Sequence, residues 1–159
     1  MRKIWNRPNQ AIWSLSTVDT EGIGNMNICT YVNAVSMEPK FMMVALYHGT
    51  KTHENVVVTK RALLQLLTED LALVTRVCGH TSGYQGNKIK RLQKKYEIHT
   101  STGLPYFTGA AGYLELQLEK IVSVGGDHDL GIFSVVLHRN LNDTPLLTTE
   151  YLRTHGLLR

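Results

Sequence analysis

Polar residues occupy every second position from Asn25 to Asn33 within the stretch Gly24–Pro39, and their types could bind a small ligand. The alternation has a period of two, which predicts one long strand with its apolar face on a core. The polar face carries amides, a thiol and a phenol in place of the charged groups of an ordinary solvated strand. Such groups suit a flat, partly polar ligand that is held by hydrogen bonds and stacking. The alternating residues are Asn25, Asn27, Cys29, Tyr31 and Asn33.

A second stretch, the turn GTKTHEN at Gly49–Asn55, offers hydroxyls, a lysine and the start of a helix. Backbone N–H groups at a helix N-terminus favour anions, so this turn could bind a phosphate. The alternative is a capped helix with no ligand, because threonine is a good N-cap residue.

The residues NICTYVNAVSMEP, an apolar strand and then TKTHEN stand in the order seen in the flavin reductase-like family, which this chain resembles. The later stretch GGDHDLGIFSVV resembles the Gly-Asp-His hairpin that recurs near the end of that family's barrel. The resemblance covers about Ala11 to Asn140. It implies an FMN-binding split barrel of the flavoredoxin or NAD(P)H:flavin oxidoreductase type.

The resemblance also implies which residues would bind FMN. The segment Asn27–Tyr31 matches the part of the strand that lies along the isoalloxazine ring, although cross-strand hydrogen bonds could also explain its asparagines. The turn would bind the ribityl phosphate, and a Ser-Gly-then-Lys stretch would add contacts. The expected cofactor-binding residues are Asn27, Ile28, Cys29, Thr30, Tyr31, Thr50, Lys51, Thr52, Asn55, Ser82 and Lys88.

His128, in the sequence GGDHD, is the candidate catalytic residue, placed on the nicotinamide side of the flavin with Asp127 orienting its imidazole. The alternative is a surface hairpin in which the histidine is incidental. A metal site formed by Asp127, His128 and Asp129 is not expected, because adjacent strand residues point to opposite faces. The other histidines show no HExxH spacing, and no metal is predicted.

The expected activity is the transfer of hydride from NADH or NADPH to flavin, by a homodimer that could pass electrons to an acceptor protein. The resemblance implies the dimer. Two alternatives on the same barrel remain: a non-enzymatic FMN-carrying electron-transfer protein, and an oxidase of the pyridoxamine phosphate oxidase type. The reductase requires turnover of NAD(P)H, whereas the oxidase requires an amine substrate and produces peroxide.

These residues must be positioned by a mainly β fold with inserted helices. Antiparallel hairpins predict a split β-barrel of about six strands, and no GxGxxG motif supports a parallel nucleotide-binding sheet. Phe41–Tyr47 is predicted to be buried on both faces, and Thr100–Pro105 to be a turn. The predicted strands are Ala11–Val18, Gly24–Pro39, Phe41–Tyr47, Ala62–Leu67, Gly112–Val124 and Leu130–Arg139. Helices are predicted from His53 to Lys60, from Thr68, through the basic stretch to Tyr96, and at Thr149–His155.

The length of 159 residues and a hydrophobic content of 43% predict one globular domain, 1–159. The net charge of +4 is mild, and the basic stretch Lys88–Lys95 is best explained as a solvated helix face. No nucleic-acid motif accompanies it. No apolar run approaches the roughly 18 residues that a membrane span needs. Two cysteines without ligand spacing and an N-terminus without a secretory pattern favour a cytoplasmic protein.

Overall fold

A computed structural model describes residues 3–158. The described residues form nine strands and four α-helices, which agrees with the predicted mainly β class. The strands are β1 Trp13–Val18, β2 Gly24–Cys29, β3 Val32–Ser36, β4 Phe41–Tyr47, β5 Arg61–Leu66, β6 Ile98–Ser101, β7 Leu104–Phe107, β8 Gly112–Ser123 and β9 His128–Asn140. The helices are α1 Lys51–Thr59, α2 Val74–His80, α3 Lys88–Leu92 and α4 Thr149–Thr154.

Seven strands form one antiparallel sheet in the order β2-β1-β5-β8-β9-β4-β3. The two outermost strands, β2 and β3, are consecutive in the chain and are joined through Thr30 and Tyr31. The chain therefore links the two ends of the sheet covalently, which is the architecture of a split barrel. The predicted fold class is confirmed.

The prediction of one long strand over Gly24–Pro39 is wrong at Thr30 and Tyr31, where the strand breaks. Before the break the residues pair with β1, and after it they pair with β4. Around the bend, the N–H of Val32 donates to the carbonyl of Thr30 and the N–H of Ala45 donates to that of Tyr31. A strand that exchanges one neighbour for another must bend. The alternation of residue types continues through the bend, so the pattern did not reveal it.

Strand β4 is buried on one face only, contrary to prediction. Met42, Val44 and Leu46 are buried, whereas Phe41, Met43 and Ala45 are partly exposed. The inward residues join Leu15, Leu64, Leu116 and Phe133 in the barrel core. A barrel has one interior, so the outer residues of β4 need a second covering element to become buried.

The helices α2, α3 and α4 pack on the outside of the barrel near β2. Met26 is fully buried beneath them, with Val74, Ile89 and Leu152. The predicted inward side of the basic helix is correct, because Ile89 and Leu92 are both buried.

The predicted turn at Thr100–Pro105 is the hairpin β6–β7. Thr102 and Gly103 form its tip with φ angles of 47° and 88°, a conformation that glycine adopts without strain.

Within residues 3–158, no helix combines the length and the apolar character required to cross a bilayer.

Candidate functional site

A cavity of about 310 Å³ lies where β2, the turn before α1 and the loop after α2 meet. The structure brings together seven of the eleven predicted cofactor-binding residues, from four separate parts of the chain. The seven residues that line the cavity are Asn27, Ile28, Thr50, Lys51, Thr52, Ser82 and Lys88.

The β2 wall of the cavity presents two side-chain carbonyls that lack partners. The amide nitrogen of Asn25 donates to the Thr52 hydroxyl at 2.8 Å, but the amide oxygens of Asn25 and Asn27 are buried without a hydrogen-bond partner. Buried polar atoms are rarely left unsatisfied, so these two acceptors beside a cavity could accept hydrogen bonds from the N–H or O–H donors of a ligand. Asn25 lies on the predicted polar face but is absent from the predicted ligand set.

Another part of the cavity wall is the first turn of α1. A threonine caps this helix, as predicted, but the helix starts at Lys51 and not at His53, so the cap is Thr50. The Thr50 hydroxyl accepts from the N–H of His53 at 3.2 Å and donates to the carbonyl of Tyr47 at 2.8 Å. The first N–H groups of a helix have no intrahelical acceptor. This wall therefore combines N–H donors, the positive end of a helix dipole and neighbouring hydroxyls.

Lys51 lines the cavity, but its ammonium is engaged at the rim. Its Nζ lies 2.8 Å from the Glu54 carboxylate and 3.9 Å from that of Asp19. The hydrogen bond to Glu54 raises the pKa of Lys51 and lowers that of Glu54. The hydroxyl of Tyr84 also donates to Glu54, at 2.7 Å. An anion in the cavity would compete with Glu54 for this lysine.

The contacts of Lys88 differ from those of Lys51. It is only 5% exposed, and its Nζ donates to the carbonyls of Met26 at 3.0 Å and Cys78 at 3.2 Å. Burial lowers the pKa of this ammonium. Lys88 therefore fastens β2 to α2 at the cavity wall, with its charge directed at backbone carbonyls.

Gly83, in the loop after α2, shapes the mouth of the cavity. A Cβ at this position would lie 2.6 Å from the amide oxygen of Asn25 and 2.7 Å from the Cβ of Lys51. Glycine is required here because the loop passes so close to both walls. Ser82 beside it accepts a hydrogen bond from the N–H of Tyr84 at 3.2 Å.

The remaining predicted residues lie outside this cavity. The amide of Asn55 donates to the hydroxyl of Thr17 at 3.0 Å and ties α1 to β1. Burial raises the pKa of the Cys29 thiol to about 12, and Cys29 packs against the barrel core. Thr30 and Tyr31 line two adjoining grooves of about 580 and 660 Å³.

His128 lies in the groove of about 660 Å³, together with Tyr31. Its Nδ1 is 2.7 Å from the Asp127 carboxylate, which is the orienting contact expected for that aspartate. The His128 ring centroid is 5.8 Å from that of Tyr31 and 5.0 Å from that of Tyr47. Tyr47 also lines the first cavity, so one aromatic residue connects the two sites. Sequence patterns did not single out Tyr47.

A sequence model of the family described as "Flavin reductase like domain" matches residues 8–153. The chain belongs to this flavin reductase-like family. No curated protein matches the sequence.

Three solved structures illustrate which proteins share this fold. The NADH:FAD oxidoreductase of Streptomyces globisporus C-1027 superposes with a TM-score of 0.81 at 13% identity, over 92% of this chain and 85% of that one. The FMN-binding protein of Thermus thermophilus gives 0.77 at 19% identity, over 88% and 75%. A structure from Sinorhizobium meliloti 1021 gives 0.79 at 17% identity, and this chain spans about half its length: 91% of this chain and 48% of that one are covered.

The residues present fit a flavin nucleotide. The cavity and the two grooves follow one another along β2 and β3: Ile28 and Gly79 line both the cavity and the first groove, and Thr30 and Tyr31 line both grooves. The series begins at the hydroxyl-rich helix N-terminus, passes the unpaired asparagine oxygens and ends at aromatic rings. A phosphate, a ring with N–H donors and a stacking surface match these three parts in that order.

Proposed function

We propose that this member of the flavin reductase-like family binds FMN along β2 and the turn Gly49–Thr52, and reduces it with NADH or NADPH. The observation that carries the proposal is the pair of buried, unpaired amide oxygens on Asn25 and Asn27 beside a phosphate-type helix N-terminus. The related NADH:FAD oxidoreductase and FMN-binding protein support it, since both share the fold.

The phosphate of FMN would be held by the Thr52 and Ser82 hydroxyls and the first N–H groups of α1, and Thr50 would contribute by capping that helix. Lys51 lies at the rim and would turn from Glu54 to the phosphate, because a phosphate carries more charge than one carboxylate. Lys88 would contribute by fixing β2, since its donors are already directed at two carbonyls.

The ring of FMN would be bound along Asn27–Tyr31, where backbone and amide groups offer donors and acceptors. When bound, FMN supplies a ring system that takes up two electrons as hydride from a reduced nicotinamide. The protein then needs few reactive side chains of its own. Cys29 suits this role only as a packing residue, because its raised pKa keeps the thiol protonated.

His128 would position the nicotinamide. A carboxylate only accepts hydrogen bonds, so Asp127 fixes the proton of the neutral imidazole on Nδ1 and leaves Nε2 as an acceptor. A nicotinamide carboxamide carries an N–H₂ donor that Nε2 can accept. His128→Leu should lower kcat/KM for NAD(P)H about 10-fold, because the variant loses the binding free energy of one to two hydrogen bonds. The affinity for FMN should be unchanged. An equal loss of FMN affinity would place the imidazole on the flavin instead.

The decisive test is a titration of flavin-free protein with FMN, followed by flavin fluorescence. We expect saturation at one FMN per chain and then steady-state oxidation of NADH or NADPH with excess flavin. Binding without turnover would instead support the FMN carrier, and peroxide production from pyridoxamine phosphate without nicotinamide would support the oxidase. Failure of a folded sample to bind FMN would refute the proposal.

We also infer a homodimer in the cytoplasm. Four exposed apolar side chains lie on or beside strands β3 and β9, which flank β4 in the sheet: Val35, Met37, Val136 and Leu137. Exposed apolar side chains that the single chain leaves uncovered commonly mark an interface. Light scattering should give twice the mass of one chain, and Val136→Glu should reduce it to that of one chain. An electron-acceptor protein would then receive reduced flavin from this dimer.

A further inference from the structure

Two histidines and an aspartate converge on the side of the barrel end next to α1. The Nε2 atom of His48 lies 3.1 Å from one carboxylate oxygen of Asp129, and the Nε2 atom of His53 lies 2.8 Å from the other. The ligand-type atoms of all three residues lie within 4.8 Å of one another. The two imidazole rings meet edge to face, with centroids 5.5 Å apart.

The fold explains this convergence. Asp129 is the second residue of β9 and points away from His128, because adjacent strand residues face opposite sides. His48 directly follows β4, the neighbour of β9, and His53 stands in the first turn of α1. Ser123 on β8 is the register partner of Asp129, so the two side chains lie on the same side of the sheet.

We propose that His48, His53 and Asp129 form a binding site for a divalent transition-metal ion, with Zn²⁺ as the representative ion. Two imidazoles and one carboxylate suit such an ion, and three protein ligands leave a position for water. Metal–ligand distances of about 2.0–2.2 Å place neighbouring ligand atoms about 3.0–3.5 Å apart in tetrahedral or octahedral geometry. The separations of 2.8 and 3.1 Å are hydrogen-bond contacts, so a bound ion would replace the Nε2 protons and require only small movements of the three side chains.

The surroundings of the three ligands also favour a metal. The side chain of Asp129 is only 13% exposed and that of His53 23%, so both are partly shielded from water. Ser123 is the register partner of Asp129, so its hydroxyl could orient the carboxylate, as partners outside the ligand set do in metal sites. Two other histidines, His99 and His128, also pair with a carboxylate, but each does so as a single imidazole.

The site is separate from the flavin cavity but shares its turn. His48 and His53 stand on either side of Gly49–Thr52, whose residues line the cavity. A bound ion would therefore join the first turn of α1 to β9. This effect does not depend on flavin, so the site can be tested on the flavin-free protein.

The experiment titrates Co²⁺ into protein without a histidine tag, after chelator treatment, and records the visible d–d absorption and the thermal midpoint. Wild type should bind one Co²⁺ per chain, Zn²⁺ should displace it, and the midpoint should rise with metal concentration. His53→Gln and Asp129→Asn should each weaken binding at least about 10-fold, since even outer-shell changes cost that much.

His99→Gln is the matched control, because it removes an exposed histidine that also pairs with a carboxylate. This variant should bind Co²⁺ as wild type does. Circular dichroism of each variant establishes that it is folded. The proposal is overturned if wild type shows no saturable absorption and no thermal shift, or if folded His53→Gln and Asp129→Asn bind as tightly as wild type.

Discussion

The two lysines that line the cavity show how differently one residue type can be used. Lys51 is partly exposed and ion-paired with Glu54, whereas Lys88 is buried and bonded to the carbonyls of Met26 and Cys78. The sequence predicted a cofactor-binding role for both. Lys51 could exchange its carboxylate partner for a ligand, whereas Lys88 supports the strand that the ligand would lie on.

The largest expected effect separates the two lysines by stability. Lys88→Met keeps the length of the side chain but leaves two carbonyls without their donor, which should lower the free energy of unfolding by about 1–3 kcal/mol. Chemical denaturation measures the change. Lys90→Met, in the same helix but exposed, is the control and should differ from wild type by less than about 0.5 kcal/mol. Equal stabilities of the two variants would mean that the contacts of Lys88 carry no net stability.

The second effect concerns affinity for the ligand. Lys51→Ala combined with Thr52→Ala should weaken FMN binding by about 10-fold or more, the value of one or two charge-assisted hydrogen bonds. Fluorescence titration measures it. Because Thr52 also accepts from Asn25, the single Lys51→Ala variant is needed to separate the charge from the wall. Unchanged affinity in a folded double variant would place the phosphate elsewhere.

Features of the fold that depend on residues close together in the sequence could be predicted, whereas features that depend on distant residues could not. The barrel strands and a threonine cap on α1 depend on local patterns and on one capping residue, so they could be predicted from the sequence. The bend at Thr30 and Tyr31 leaves the alternation of residue types intact and was missed. The hairpin β6–β7 was missed because glycine and proline within it are typical of turns.

The site followed the same rule. The polar face of β2 and the helix start could be recognised from neighbouring residues, and seven of the predicted residues meet in one cavity. The ties made by Lys88 and Asn55 join parts of the chain 62, 10 and 38 residues apart. The cluster of His48, His53 and Asp129 spans 76 residues between its second and third members. No spacing rule covers such separations, because the turns of the barrel determine them.

The smallest expected effect tests whether the rim lysine is held back by its partner. Glu54→Gln removes the carboxylate that engages Lys51 and should tighten FMN binding by up to about 5-fold, because an exposed ion pair is only weakly stabilising. Competition titrations against wild type resolve a change of this size. Weaker binding in Glu54→Gln would show that Glu54 instead positions Lys51 for the phosphate.

Lys88 has a further consequence at the outer edge of β2, where the seven-stranded sheet ends. An uncovered strand edge is a template on which a second chain can add a strand, and proteins protect such edges with charges or covering elements. The ammonium of Lys88 occupies the carbonyl of Met26 on that edge, and α2 and α3 pack alongside it. The buried lysine should therefore hinder the addition of a strand from another chain at this edge, in addition to joining β2 to α2.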